Sequence, residues 1–157
     1  MAYYPVSLDV KDRRVVVVGG GRVAERKVKQ LLSFGASVKV IAPSLTPLLS
    51  SLARTKKIRY EARLFRTGDL SAACLAIAAT SDRKANERVA REARKRDIWV
   101  NVVDCLKACD FIAPAVVRRR GLVIAVTTDG KNPPLSKSFK EFLEGAVDVF
   151  VGRRGQS

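Results

Sequence analysis

An α/β fold, a doubly wound parallel sheet followed by a small α+β segment, is what this chain of 157 residues predicts, on three observations. Short apolar runs rich in β-branched residues alternate with helix-length segments from residue 15 to residue 103. A glycine triplet, Gly19-Gly20-Gly21, stands directly between the first such run and the first helical segment. Beyond Asp104 the alternation stops, and two close, strand-like segments are followed by one helical segment.

The elements follow in order. Residues 15–18 are all valine, a continuous run that suits a strand buried on both faces of a parallel sheet. Residues 23–34 are helix-compatible and Gly35 supplies a C-cap. Residues 38–41 form the next strand, stopped by Pro43; residues 45–54 read as a helix and 58–61 as a weak strand. Residues 74–79 are another apolar strand, after which Ser81 or Asp82 caps a helix to about Arg96 with Ala85, Val89 and Ala93 on one face. Residues 99–103 are the fifth strand. Right-handed crossovers then wind the sheet in both directions, a Rossmann-like arrangement. Residues 111–117 and 122–127 are strands joined by a turn at Arg118-Arg119-Arg120-Gly121. A loop at Asp129-Gly130-Lys131-Asn132-Pro133-Pro134 leads to a terminal helix over 135–150 and a frayed basic tail over 152–157. The boundary falls near residue 112, giving segments 1–112 and 113–157.

Composition narrows the function. With 47% hydrophobic and 29% charged residues, the chain has the balance of a globular protein and not of a disordered one. No apolar run approaches the ~20 residues that span a bilayer. Residues 1–14 lack the basic start and apolar stretch of a signal peptide, so the expectation is a cytoplasmic protein. The absence of histidine excludes Ser-His-Asp catalysis, Cys-His catalysis and His-ligated metals. The net charge of +15 favours anionic partners. Cys74, Cys105 and Cys109, an odd count, read as reduced thiols.

Gly19-x-Gly21-x-x-Ala24 has the spacing of a phosphate-binding turn: one glycine for the tight turn, one for close approach of a pyrophosphate, and a small residue for helix–strand packing. The exposed N–H groups and positive end of the helix would hold the phosphates. The same glycines also suit a plain sharp turn, but directly after the first strand and opening the first helix the dinucleotide reading is favoured. The second strand ends Ile41-Ala42-Pro43-Ser44, without the acid that usually holds a ribose 2′-hydroxyl and without the arginine expected for a 2′-phosphate, so NAD is favoured over NADP. Asp104 closes the central run Asn101-Val102-Val103, where open α/β sheets place their ligands; it is a candidate proton acceptor or, equally, a loop carboxylate. Cys105 and Cys109, with Asp104 and Asp110, could ligate a metal, but small hydrophobes are the favoured reading and no metal is assigned. The basic helix bearing Arg83, Lys84, Arg88, Arg91, Arg94, Lys95 and Arg96 reads as a solvated face. No aromatic RNA-binding signature accompanies the charge, so nucleic acid is not expected.

Together these segments resemble one family. The opening Tyr4-Pro5-Val6-Ser7-Leu8-Asp9-Val10, the run from Val17 to Lys27, Ala78-Ala79-Thr80-Ser81-Asp82, Asn101-Val102-Val103-Asp104, Phe111-Ile112-Ala113-Pro114-Ala115 and Thr127-Thr128-Asp129-Gly130-Lys131-Asn132-Pro133 are similar to the precorrin-2 dehydrogenases of siroheme synthesis. The bifunctional members of that family are also sirohydrochlorin ferrochelatases. The resemblance implies NAD-dependent conversion of precorrin-2 to sirohydrochlorin, with Fe²⁺ as a further substrate in bifunctional relatives. It implies Asp104 as the catalytic base, and Arg22, Val23, Pro43, Ser44 and Thr80 beside Gly19, Gly20 and Gly21 at the cofactor. It also implies a homodimer in which 113–157 is the dimerisation and substrate-cleft segment. Arg118, Arg119, Arg120, Thr128 and Lys131 are the candidates for holding a tetrapyrrole with eight carboxylates. The family's usual C-terminal helical domain has no counterpart within the 157 residues, and cysteine is not its usual residue after the aspartate. The competing reading is a non-catalytic module that binds NAD(H) and an anionic partner.

Overall fold

The computed structural model describes the backbone of residues 3–154 and the side chains of residues 3–151. Two compact units emerge, Pro5–Phe111 and a second that runs from Ile112 onward and includes the start of the chain.

In the first unit the strands are β1 (Arg14–Val18), β2 (Ser37–Ile41), β3 (Arg59–Glu61), β4 (Leu75–Ala78) and β5 (Trp99–Val102). All pair in parallel, in the order β3-β2-β1-β4-β5. This is the strand order of one Rossmann half with its switch point between β1 and β4. Helices α1 (Arg22–Ser33), α2 (Pro47–Arg54) and α3 (Arg83–Lys95) connect the strands. The four valines of β1 are at most 2% exposed, and they alternate between two cores. Val15 and Val17 pack with Ala24, Val28 and Leu49 of α1 and α2, while Val16 and Val18 pack with Val89, Ala90 and Ala93 of α3. A continuous run of β-branched residues is what a central strand between two helical layers requires.

Several boundaries moved by one or two residues for local chemical reasons. Leu45 and Thr46 are outside α2, because Thr46 is its N-cap, accepting from the Leu49 N–H, and Pro47 occupies the first helical position. Asp82 is the cap of α3, accepting from the N–H groups of Lys84 and Ala85.

In the second unit, β6 (Ala115–Arg119) and β7 (Leu122–Val126) form an antiparallel hairpin packed by α4 (Pro133–Arg154). Four expectations are corrected here. Residues 111–114 belong to no strand, and pairing starts only after Pro114, which has no N–H to donate. The terminal helix starts two residues early, at Pro133, because Asn132 accepts from the Leu135 N–H as a cap. It also continues through Arg154, so residues 152–154 of the expected tail are helical; residues 155–157 lie outside the described residues. The expected four-residue turn tightens to Arg120-Gly121, both at positive φ (47° and 79°), the geometry of a type I′ hairpin.

An ion-pair network closes the loop after β3. Arg63 forks onto Asp69 at 2.6 and 2.7 Å and also reaches Glu61, which pairs with Lys39 at 2.5 Å. Burial alone would raise the Asp69 carboxyl, but hydrogen bonds from Arg63 and from the Arg66 N–H outweigh it and hold it below the usual range. The unfolded chain therefore binds the Asp69 proton more readily than the folded one. The stabilisation is complete above about pH 5 and is lost as pH falls through the unfolded value, about 4, and then the lower folded value. Asp69→Asn should lower the melting temperature at pH 7 by several degrees and make its decline between pH 5 and 3 shallower than in the parent chain, as read by scanning calorimetry.

Candidate active site

A cleft of about 780 Å³ opens at the C-terminal ends of the parallel strands, where the winding of the sheet reverses. Gly19, Gly20, Gly21, Arg22, Val23, Pro43, Ser44 and Thr80 all line it, so the structure brings together the whole set named for the cofactor. The turn is assembled from backbone contacts. Gly19 N–H donates to the Ile41 carbonyl, and the Thr46 N–H donates to that of Gly20. At Gly19 φ is +124°, and a Cβ would stand 2.2 Å from the Ala79 carbonyl oxygen. A Cβ at Gly20 would stand 1.9 Å from that of Ser44, whereas one at Gly21 would meet nothing within 4 Å. Gly20, which the motif leaves unspecified, is therefore the most crowded of the three. Ala24 is fully buried against β1, as its place in the motif requires.

These features fit a dinucleotide. Gly21 precedes α1 without any side-chain cap on the first-turn N–H groups, leaving donors and the positive helix end available to a phosphate. The volume is in the range of small-molecule and cofactor pockets. Arg88 of α3, itself exposed, joins Arg22 on the cleft wall. Arg63 also lines the cleft, but its guanidinium is engaged by Asp69 and Glu61.

Asp104 lies just past β5, exposed, and borders not this cleft but an adjoining hollow of about 270 Å³. Its neighbour Val103 lines the cofactor cleft. Arg83, Arg91 and Arg94 of α3 face the hollow, with Cys105 beside Asp104. The basic residues of α3 are all exposed, as expected of a solvated face, and several of its arginines border the two cavities. Asn86, which the sequence reading did not single out, is fully buried and donates from Nδ2 to Asp104 Oδ1 at 3.1 Å. The signal was present, since Asn86 falls on the same stripe as Ala90 and Ala93, a polar residue on a core-facing line.

The cysteines are free thiols. Cys109 accepts the Val102 N–H at 3.1 Å and packs against the α3-side core, and burial pushes its pKa up, which suits a structural thiol. No group of three metal-ligating side chains occurs among the described residues.

The remaining candidates lie in the second unit. Arg119 and Arg120 both pair with Asp148 of α4. Thr128 accepts the Asn132 N–H at 2.9 Å, and the Lys131 N–H donates to the Thr128 carbonyl at 2.9 Å, so the two close the loop ahead of α4.

The glycines give a separable test. Gly19→Ala and Gly20→Ala should each destabilise the chain by about 1–3 kcal/mol or more, through strain and backbone overlap. Gly21→Ala should melt within about a degree of the parent, a surface-like change. Thermal unfolding followed by circular dichroism distinguishes the two classes.

The family model described as putative NAD(P)-binding matches residues 6–115. Siroheme synthase 1 of Serratia proteamaculans (strain 568) is 40% identical over 156 residues, 99% of this chain and 33% of that protein. The siroheme synthase of Nitrosospira multiformis is 42% identical over 157 residues, again covering 33% of the relative. The chain thus spans about a third of the length of these curated relatives. Among solved structures, SirC, a precorrin-2 dehydrogenase, superposes with a TM-score of 0.80 at 33% identity, over 92% of this chain and 71% of that one. The chain belongs to the putative NAD(P)-binding family and, through its likeness to SirC over most of both chains, to the precorrin-2 dehydrogenases.

Proposed function

We propose that the chain dehydrogenates precorrin-2 to sirohydrochlorin with NAD⁺, and that Asp104 is the general base. The observation that carries this reading is the carboxylate just past β5, one residue beyond the cofactor cleft, in a chain that is like a precorrin-2 dehydrogenase over 92% of its length. NAD⁺, when bound, supplies the acceptor for one hydride. The turn at Gly19–Gly21 and the start of α1 hold the pyrophosphate, and Thr80 and Val103 form the wall on the β4–β5 side. Asp104 accepts the proton that leaves with the hydride, so the two hydrogens of the substrate are both accounted for. NAD rather than NADP is favoured because the Arg63 guanidinium is already forked onto carboxylates.

Arg118, Arg119, Arg120, Thr128 and Lys131 are proposed to take carboxylate arms of the substrate, Arg119 and Arg120 by exchanging their shared partner Asp148 for a substrate carboxylate, in keeping with the charge of +15. The second unit is proposed to dimerise. Val123, Phe142, Val149 and Phe150 are each more than half exposed, an apolar surface that a second copy would cover. The proposed setting is the cytoplasm; no helix among the described residues is long and apolar enough to cross a membrane.

Asp104→Ala should leave NAD affinity unchanged in calorimetric titration and lower turnover of precorrin-2, followed by sirohydrochlorin absorbance, by ~10²–10⁴-fold. Gly21→Asp should do the reverse, abolishing NAD binding by setting a carboxylate against the pyrophosphate. Near-parental turnover in Asp104→Ala would make the carboxylate structural. Adding Fe²⁺ to the product with the same variant tests chelation. For the dimer, Phe142→Asp should convert the sedimenting species to a monomer without changing the helical circular-dichroism signal.

A further inference from the structure

Asn86 has 0% exposure, and every hydrogen-bonding position of its amide is used. Oδ1 accepts from the Thr80 N–H at 3.1 Å and from the Thr80 hydroxyl at 2.8 Å. Nδ2 donates to the Thr80 carbonyl at 3.1 Å and to Asp104 Oδ1 at 3.1 Å. The amide orientation is fixed by this network, because Oδ1 faces the Thr80 N–H and Nδ2 faces two acceptors, and the flipped amide would keep only the contact with the Thr80 hydroxyl, which can accept as well as donate. Three of the four bonds close the turn between β4 and α3, six residues apart, and any local turn could use them. The fourth is different in kind: it leaves the turn and reaches an exposed carboxylate 18 residues away, on an irregular segment.

Burying an amide is costly unless it is fully bonded, and a buried amide on the core-facing stripe of a helix is retained against that cost. Thr80 lines the cofactor cleft, and Asp104 lines the adjoining hollow. Asn86 therefore joins the two across the interior of the unit with hydrogen bonds alone. We propose that Asn86 is a positioning residue: it holds the Asp104 carboxylate in one rotamer, in fixed register with the β4 end of the cofactor cleft. The inference rests on Asp104 as the base of the dehydrogenation. The other charged or titratable groups facing Asp104 are Arg83, Glu87, Arg91 and Arg94 of α3 and the Cys105 thiol, none of which is hydrogen-bonded or ion-paired to its carboxylate. Arg83 is taken by Glu87 and Arg94 by the Ala108 carbonyl, and Arg91 borders the hollow without a bond to Asp104; among the described residues the side chain that holds the carboxylate is Asn86.

The test is a cycle of Asn86→Asp and Asp104→Ala in the whole chain. Asn86→Asp is isosteric; it keeps an acceptor for both Thr80 donors but loses the donor to Asp104. It should lower kcat by ~10²-fold, the scale of a misplaced catalytic group, with little change in the Michaelis constant for precorrin-2 or in NAD affinity. In the Asp104→Ala background the same substitution should cost no further rate. Losses that multiply across the cycle, or parental turnover in Asn86→Asp, overturn the proposal. Parental turnover in Asp104→Ala would instead overturn the reading of Asp104 itself. A second measurement needs no variant at position 86. In protein labelled with ¹⁵N-asparagine, the side-chain amide of Asn86 should shift and exchange faster with solvent in Asp104→Ala than in the parent. An unchanged resonance would show that the bond is not formed in solution, and the proposal would fall.

Discussion

The first unit depends on the close approach of three strand ends at Gly19 and Gly20. The end of β1 lies so near Ala79 after β4 and Ser44 after β2 that neither glycine has room for a Cβ. That packing is backbone against backbone, and hydrogen bonds from Gly19 to Ile41 and from Thr46 to Gly20 hold it. Everything at the site inherits its position from this junction. The start of α1 is aimed across the strand ends, the segments after β2 and β4 become the two walls of the cleft, and Gly21 is left with its open side toward the space between them. A phosphate-binding turn is here a consequence of strand spacing first and of ligand binding second.

Features that local chemistry fixes were legible in the sequence. Four adjacent valines suit a strand buried on both faces and a glycine triplet after it suits a turn, so the glycine turn was readable from the chain, whereas Arg22, Val23, Pro43, Ser44 and Thr80 around it came from the family resemblance. Asp104 was readable because the end of a central strand in such a sheet is where ligands bind. Helix starts were read one or two residues off wherever a cap decided them, as at Thr46 and Asn132, since several nearby polar residues offer the same bond. Long-range pairings were not legible. The fork of Arg63 on Asp69, the pairing of Arg119 with Asp148 and the bond from Asn86 to Asp104 join residues that the fold, not the chain, makes neighbours.

The excess of positive charge shows the same division. Read along the chain, the arginines of 83–96 are one basic run with two acids among them. Placed on a helix at about 100° per residue, they separate. Arg83, Arg91 and Arg94 fall within roughly a quarter turn of one another and face the hollow with Asp104. Arg88 and Ala85 fall on another side and face the cofactor cleft. Elsewhere charge is neutralised locally, as at Arg63 or at Arg119 and Arg120, and contributes to closing loops and holding the hairpin on α4.

This sorting makes α3 a partition between two anion-favouring cavities, and it explains why an amide suits position 86. An arginine or lysine there would bring a charge into the core next to Val89 and Ala90, where it would have to be paired at high cost. An apolar residue would pack but would leave the Thr80 N–H and carbonyl without partners at the turn that forms the cleft wall. A side chain with two donors and one acceptor oxygen, neutral and planar, satisfies the turn and still has one N–H to spare. That N–H reaches the carboxylate just past β5, the strand next to β4 in the sheet. The cofactor wall and the carboxylate are thereby set by one rigid group, through contacts that neither cavity alone would require.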